Sequence, residues 1–422
     1  MEFLIRAALI VDSNSPHNHS SKDLLIRNGV IAKIADSIEF DGDIIEANGL
    51  RVSPGWMDFR AHYTDPGLEH KEDLDTGCAT AAAGGFTDVL LIPNTLPAAD
   101  NKNAVSHYAK WSRTSAVNLH VAGAVTKGCE GKELTDMIDL HHAGARAFTE
   151  GNSPVWHTNI MLKTLQYLQK FDGVLINRPE DQMLTAFGVM HEGEVSTRLG
   201  MKGMPAISEE VMIQRDLQLL EYTGGKMHFS LVSTQQGVRL IRDAKARGLN
   251  VTADVGVHHL IFDDSALTGY DTNLKVNPPF RLTSDRDALV AGVLDGTIDV
   301  IVSDHQPQDQ ESKKLEFDLA EFGIIGQQSF YSALISVFGE KTDDILGTVF
   351  TAPRAILGME KMMIEEGAQA CLTLFSPELN WRYDKATNTS KSEASPFMGQ
   401  QLSGRVIGIV NKGQRLINTY ES

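Results

Sequence analysis

The sequence predicts an α/β protein: a parallel (β/α)8 TIM barrel with a small β-sandwich built from both ends of the chain. Three observations point there. Eight short β-rich runs recur, each followed by a helical stretch. Several of those runs end in polar or charged residues, as barrel strands do where they open onto a site. The two ends of the chain instead carry short strands with turn signals, and neither can build a good core alone.

In chain order, residues 1–53 start on a strand-like run and contain Asp23 to Ile31, where Asn28-Gly29 marks a hairpin. The barrel is expected over residues 54–363. Its strands are read at Trp56 to His62, Thr87 to Asn94, Leu119 to Val125 and Ala145 to Glu150. The other four are read at Gly173 to Arg178, Met227 to Ser233, Asn250 to Gly256 and Asp299 to Asp304. Between them, Lys71–Gly84, Ser208–Thr223 and Thr234–Arg247 show the 3.6-residue period of helices. Strands alternating with helices imply a parallel sheet, and closure into a barrel is the economical solution. Residues 364–422 contain further strands and a Gly-rich stretch from Gly399 to Gly413. Asn388 to Ser395 reads as a loop, the polar segment 309–320 as a mobile one, and no internal repeat is visible.

Composition excludes several classes. The 422 residues, 42% hydrophobic and 22% charged, suit an ordinary globular protein with one barrel and a smaller unit. A formal charge of −17 argues against nucleic acid or an anionic membrane as partner, since both require a basic face. Cys78, Cys129 and Cys371 are scattered without Cys-x-x-Cys spacing, which implies a reducing compartment and no thiolate zinc site. With no signal segment and no membrane-length apolar run, a cytoplasmic location is expected.

The chemically informative stretch is Pro54 to His62. A His-x-His pair at a strand end places two imidazoles on one face and is a common zinc-binding device in barrel hydrolases. Here the first position is Arg60, a permanent cation that cannot ligate metal. His62 alone reads more readily as a hydrogen-bonded barrel histidine. His258-His259 and His141-His142 read as adjacent strand residues on opposite faces and hence structural, and His228 as a barrel-wall residue.

Pro54-Gly55 through Asp65-Pro66-Gly67, Lys71-Glu72-Asp73-Leu74, Ala81 to Thr87 and Pro93-Asn94-Thr95 together resemble bacterial dihydroorotases of the amidohydrolase superfamily. So do Lys275-Val276-Asn277-Pro278-Pro279, Ser303-Asp304-His305, Phe322 to Gly326 and Ser395-Pro396-Phe397. The resemblance runs in order along nearly the whole chain. It implies one or two zinc ions, whose bridging hydroxide attacks the ring amide, and a final aspartate that shuttles the proton.

Residue by residue, that pattern is depleted here. Asp304 matches the catalytic aspartate, and His62, Asp304 and a longer Glu150 could form a vestigial metal set. Arg60, Arg178 and Leu231 stand where the family has histidine ligands. On the substrate side, Asn94 and Asn277 match, whereas Thr64 replaces a carboxylate-gripping arginine and Gln308 a histidine. A lost charge-assisted contact of that kind removes roughly 1.5–3 kcal/mol. The expectation is therefore that zinc is absent or weakly bound and that hydrolysis is lost or strongly reduced. Arg60 and Arg178 are expected to fill the metal's place and to pair with Glu150 and Asp304, because buried carboxylates need compensation. Degenerate dihydroorotases serve as partners of aspartate transcarbamoylase in pyrimidine biosynthesis, so that partner is implied, and a homodimer is a further expectation. The rival expectation is an active cyclic-amide hydrolase, acting on dihydroorotate, a hydantoin or allantoin through a reduced metal site. A third reading is a binder that keeps the pocket without turnover.

Overall fold

A computed structural model describes residues 2–419. Eight parallel strands form the barrel: β1 (Trp56–Ala61), β2 (Phe86–Leu91), β3 (Asn118–Ala124), β4 (Ala147–Thr149), β5 (Val174–Asn177), β6 (Lys226–Phe229), β7 (Val251–Gly256) and β8 (Val300–Val302). They are neighbours in sequential order. A parallel bridge between Ala61 and His305 closes the ring, with the His62 amide donating to the His305 carbonyl at 2.9 Å. All eight strands lie within about four residues of the expected runs, and the structure shortens most of them. The helices Leu74–Ala83, Ile207–Thr223 and Gln235–Ala246 fall where the apolar periodicity places them.

Two apolar layers follow from strand alternation. Met57, Phe59, Leu90, Ala122, Ala147, Val174 and Ile176 fill the barrel interior together with Leu231, Val300 and Val302. Trp56, Ala61, Val89 and Leu91 face outward into the layer shared with the surrounding helices. The pairing of β1 with β2 slips between Asp58 and Ala61, an irregularity that re-aims side chains at the end of β1.

Both chain ends do combine, but into one mixed eight-stranded sheet. Its path runs Gln414–Ile417, Gln400–Asn411, Leu372–Tyr383, Arg51–Pro54, Glu2–Ile10, Ser21–Arg27 and Val30–Ala35, with Ile44–Ile45 pairing Glu2–Ile10 as well. Phe3, Ile5, Leu24 and Ile26 from one end pack with Leu372, Leu374 and Val410 from the other, so neither end closes a core without its counterpart. The expected hairpin is present: Arg27 pairs with Val30, and Asn28 and Gly29 both have positive φ, as a two-residue turn of this hand requires.

Three local expectations need correction. His258 and His259 sit in a 3-10 turn, Val257–Leu260, and both are buried. His141 and His142 occupy the last turn of the helix Met137–Ala143. The segment 309–320, expected to be mobile, is pinned from beneath. Lys275 Nζ donates to the carbonyls of Phe317, Asp318 and Ala320, and Lys313 Nζ to those of Glu321 and Gly323. Lys275 lies far outside the segment, so its part in the pinning cannot be read from the segment's own pattern.

Candidate functional site

The carboxyl ends of the strands bring Arg60, His62, Glu150, Arg178, Leu231 and Asp304 into one neighbourhood. Arg60, 2% exposed, extends from the end of β1 across the mouth. Its Nε donates to Asp304 Oδ1 at 3.0 Å, Nη2 to Asn152 Oδ1 at 2.8 Å, and Nη1 to the Gly151 carbonyl at 3.4 Å. Asp304 Oδ1 also accepts from Gln306 Nε2 at 2.9 Å. Burial holds the Asp304 carboxyl above its ordinary range, with the Arg60 guanidinium opposing that rise. Asp304 has φ 47° and Leu231 φ 58°, left-handed conformations that side chains rarely adopt and that recur where strand ends carry a site.

Arg178 enters from β5 and is also buried. Its Nη2 donates to Glu180 Oε2 at 2.6 Å and to the Asn152 carbonyl at 2.5 Å. Burial lowers its pKa, while Glu180 pulls it back up. The two arginines thus occupy the mouth as expected, but only half of the expected pairing forms. Arg60 takes Asp304; Arg178 takes Glu180 and not Glu150. Glu150 turns away: Oε1 accepts from the Thr126 amide and Oε2 from the Thr126 hydroxyl, each at 2.7 Å. Burial raises its pKa to about 7 against those hydrogen bonds. The Thr126 amide and hydroxyl satisfy one oxygen each, so Glu150 is held on the far side from the arginines.

His62 completes the cluster. Nε2 lies 2.9 Å from the Asn94 carbonyl, so that nitrogen carries the proton, and Nδ1 lies 3.4 Å from Asn152 Nδ2, which donates to it. Burial, reinforced by the Arg60 charge, pushes its pKa down to about 4. Leu231 is buried among the interior apolar residues, and its amide donates to Asp254 Oδ1 at 2.6 Å. His228, read as a wall residue, is buried with Nε2 2.9 Å from Asp254 Oδ2 and Nδ1 2.8 Å from Thr252 Oγ1.

These donors do not fit zinc. Both nitrogens of His62 are engaged by protein, Asp304 is bound to a guanidinium, Glu150 faces Thr126, and Leu231 has no lone pair. Among the described residues, no group of three or more His, Cys, Asp or Glu is placed to hold a metal ion.

The substrate-side positions divide. Asn94 stays at the mouth, donating to the Glu150 carbonyl at 3.1 Å and accepting from the Asn152 amide at 2.9 Å. Asn277 Nδ2 lies 3.3 Å from Glu180 Oε2, and its Oδ1 is buried without a hydrogen-bond partner. Thr64 and Gln308 are turned to holding loops. The Thr64 hydroxyl donates to the carbonyls of Leu68 and Glu72, at 2.7 and 3.1 Å. Gln308 accepts from Lys71 Nζ and donates to the Phe322 carbonyl, each at 2.7 Å. The short Thr64 side chain cannot reproduce the reach of an arginine, and Gln308 is held by its own loop contacts.

Two residues that the sequence reading left without a role organise the cluster. Asn152 touches Arg60, Arg178, His62 and Asn94 through four different groups. Glu180 neutralises Arg178 and reaches Asn277. Their only sequence signal is position, two residues beyond Glu150 and Arg178 respectively.

A sequential eight-stranded parallel barrel with strand-end carboxylate and imidazole, beside a sheet from both termini, defines an amidohydrolase-type protein. Solved structures share that fold: an L-hydantoinase from Arthrobacter aurescens superposes with a TM-score of 0.84 at 20% identity, covering 99% of this chain and 96% of that one. The dihydro-orotase-like family model matches residues 49–237. A dihydroorotase from Pelotomaculum thermopropionicum is 41% identical over 409 residues, 96% of each protein, and one from Citrifermentans bemidjiense is 37% identical over 420 residues, 98% of this chain and 99% of that one. The chain belongs to the dihydroorotase family of pyrimidine biosynthesis. No helix among the described residues is long and apolar enough to cross a membrane.

Proposed function

We propose that this protein is a dihydroorotase-family member in which guanidinium has replaced zinc, so that zinc-dependent ring hydrolysis is lost, and that it acts as a non-catalytic partner of aspartate transcarbamoylase. The observation that carries the first part is the buried Arg60–Asp304 pair at 3.0 Å. Asp304 is the residue that would move the proton in hydrolysis. An aspartate locked to a permanent cation cannot also face a metal-bound nucleophile, and the cation repels a divalent ion from the same place. His62, the one remaining imidazole of the ligand set, offers no free lone pair.

The transcarbamoylase role is supported by the family resemblance, since a barrel that keeps its core without its ligands needs some other use. The test is metal content of the purified protein together with dihydroorotate turnover under added zinc. Substoichiometric zinc and background turnover are expected. Stoichiometric zinc with turnover that a chelator abolishes and zinc restores would overturn the proposal in favour of a rearranged but active cyclic-amide hydrolase.

A further inference from the structure

The loop that follows β8 is wired to itself more than to the barrel. Every backbone-to-backbone hydrogen bond of residues 309–322 stays inside that segment, as from the amides of Lys314, Ala320 and Glu321 to the carbonyls of Gln310, Glu316 and Ser312. Lys313 Nζ adds an internal staple, donating to the Glu321 and Gly323 carbonyls at 2.9 and 3.0 Å. Gln308 Nε2 closes the neck by donating to the Phe322 carbonyl at 2.7 Å. Gly323 completes the neck at φ 120°, where a Cβ would stand 2.7 Å from the Gln306 carbonyl oxygen. A surface loop with adjoining ends and its own internal packing is an Ω-loop, and such units open cooperatively.

Its attachment to the body is narrow. Of residues 309–322, Lys313, Phe317 and Ala320 alone are buried. Phe317 packs with Leu274, Val276 and Phe280. The Thr272 hydroxyl donates to the Lys313 carbonyl at 2.8 Å, and His70 Nε2 lies 3.7 Å from Asp309 Oδ2. The largest tie is Lys275. Its buried Nζ donates to the carbonyls of Phe317, Asp318 and Ala320 at 2.7, 3.1 and 2.6 Å. The same ammonium lies over the Phe317 and Phe322 rings, 5.4 and 4.8 Å from their centroids. On one flank the loop borders a cavity of about 380 Å³, which Gln310 and Lys314 share with Asn273, Pro396 and Met398. The neck, in turn, is part of the mouth. Gln306 Nε2 holds Asp304 at 2.9 Å, and Gln308 Oε1 accepts from Lys71 Nζ at 2.7 Å. Gln308 thus joins the loop after β8 to the loop after β1 across the seam of the barrel.

We propose that residues 308–322 form a lid at the edge of the mouth that docks and lifts as one body, latched by the Lys275 ammonium. Lifting breaks the bonds from Lys275 and Thr272 and leaves the internal bonds of the loop intact. The inference does not depend on the loss of zinc.

The test introduces Ala320→Cys, a thiol at a buried position of the docked loop, into the full-length chain and follows its alkylation by iodoacetamide, the labelled site being identified by peptide mass. Labelling is compared in this background alone, with Lys275→Met and with Thr272→Val, beside tryptic cleavage after the exposed Lys314. Slow labelling is expected in the background chain. Lys275→Met should speed it at least about tenfold, because three charge-assisted bonds are lost, and Thr272→Val should speed it less. Cleavage after Lys314 and labelling of the buried Cys78 and Cys371 should not change. If Lys275→Met does not fold, Thr272→Val alone carries the comparison. A background thiol that labels as fast as a free one overturns the docked state, and labelling that neither variant changes overturns the latch. Labelling that rises together with cleavage after Lys314 means that the segment unravels, and a rise shared by Cys78 and Cys371 means that the whole protein loosens; either overturns the lid.

Discussion

Replacing Arg60 with Met tests the central ion pair. Arg60 and Asp304 are 2% and 9% exposed, and the pair sits at 3.0 Å. Removing one partner of such a pair leaves an uncompensated buried charge and costs about 3–5 kcal/mol. At roughly 2 °C per kcal/mol, the low end for larger domains, the melting temperature should fall by about 6–10 °C at pH 8. The pH dependence supplies the sharper signature. Burial already holds the Asp304 pKa above its unfolded value, and Arg60 is the main group opposing that. Without Arg60 the pKa rises further. A carboxyl raised in the folded state carries no penalty below the unfolded pKa, and the penalty grows as pH climbs toward the folded value. The loss relative to the parent should therefore be smaller at pH 5 than at pH 8. Arg60→Met with Asp304→Asn should recover much of the loss, because two neutral groups replace the orphaned carboxylate. Thermal unfolding of the parent, the single variant and the double variant at both pH values decides the matter. A single-variant loss under about 1 kcal/mol that does not vary with pH would refute the claim that Asp304 depends on Arg60 for its charge.

Further outcomes follow from the same geometry. His258 is buried with neither ring nitrogen partnered, and burial lowers its pKa to about 3; below the unfolded value near 6.5 the unfolded chain gains a proton that the folded chain resists, so stability falls as pH drops toward 3. His258→Leu should flatten that fall and leave stability at pH 8 unchanged or higher, measured by denaturant unfolding across pH 4–8. Restoring imidazoles with Arg60→His, Arg178→His and Leu231→His should raise bound zinc, read by elemental analysis, more readily than dihydroorotate turnover, because Thr64 and Gln308 remain engaged in their loops. Asn152→Ala removes the side-chain bonds to Arg60 and His62 and should cost about 1–3 kcal/mol, seen as a lower denaturation midpoint.

Much of the architecture was legible before any coordinates. Strand and helix periodicity located the eight barrel strands, because period-2 and period-3.6 burial are local consequences of backbone geometry. The Asn28-Gly29 turn was legible for the same reason, as a two-residue loop with its own conformational demand. The union of the two chain ends was also foreseen, though as a sandwich. Its arrangement as one mixed sheet depends on Arg51–Pro54 pairing parallel with one terminal strand and antiparallel with another, which no segment announces by itself.

Site identity and site geometry separate in the same way. The sequence by itself determined which chemical groups stand at the strand ends: a guanidinium at 60 and 178, an isobutyl at 231, carboxyls at 150 and 304. That follows from residue type and strand position, and it leaves no imidazole at 60, 178 or 231. Only the tertiary structure decided which group compensates which. Glu150 found Thr126 across the neighbouring strand and Arg178 found Glu180 two residues along, leaving Arg60 alone with Asp304. Such partnerships are set by distances between side chains on different strands. Those distances depend on barrel closure and on the slip in β1, which are properties of the packed whole.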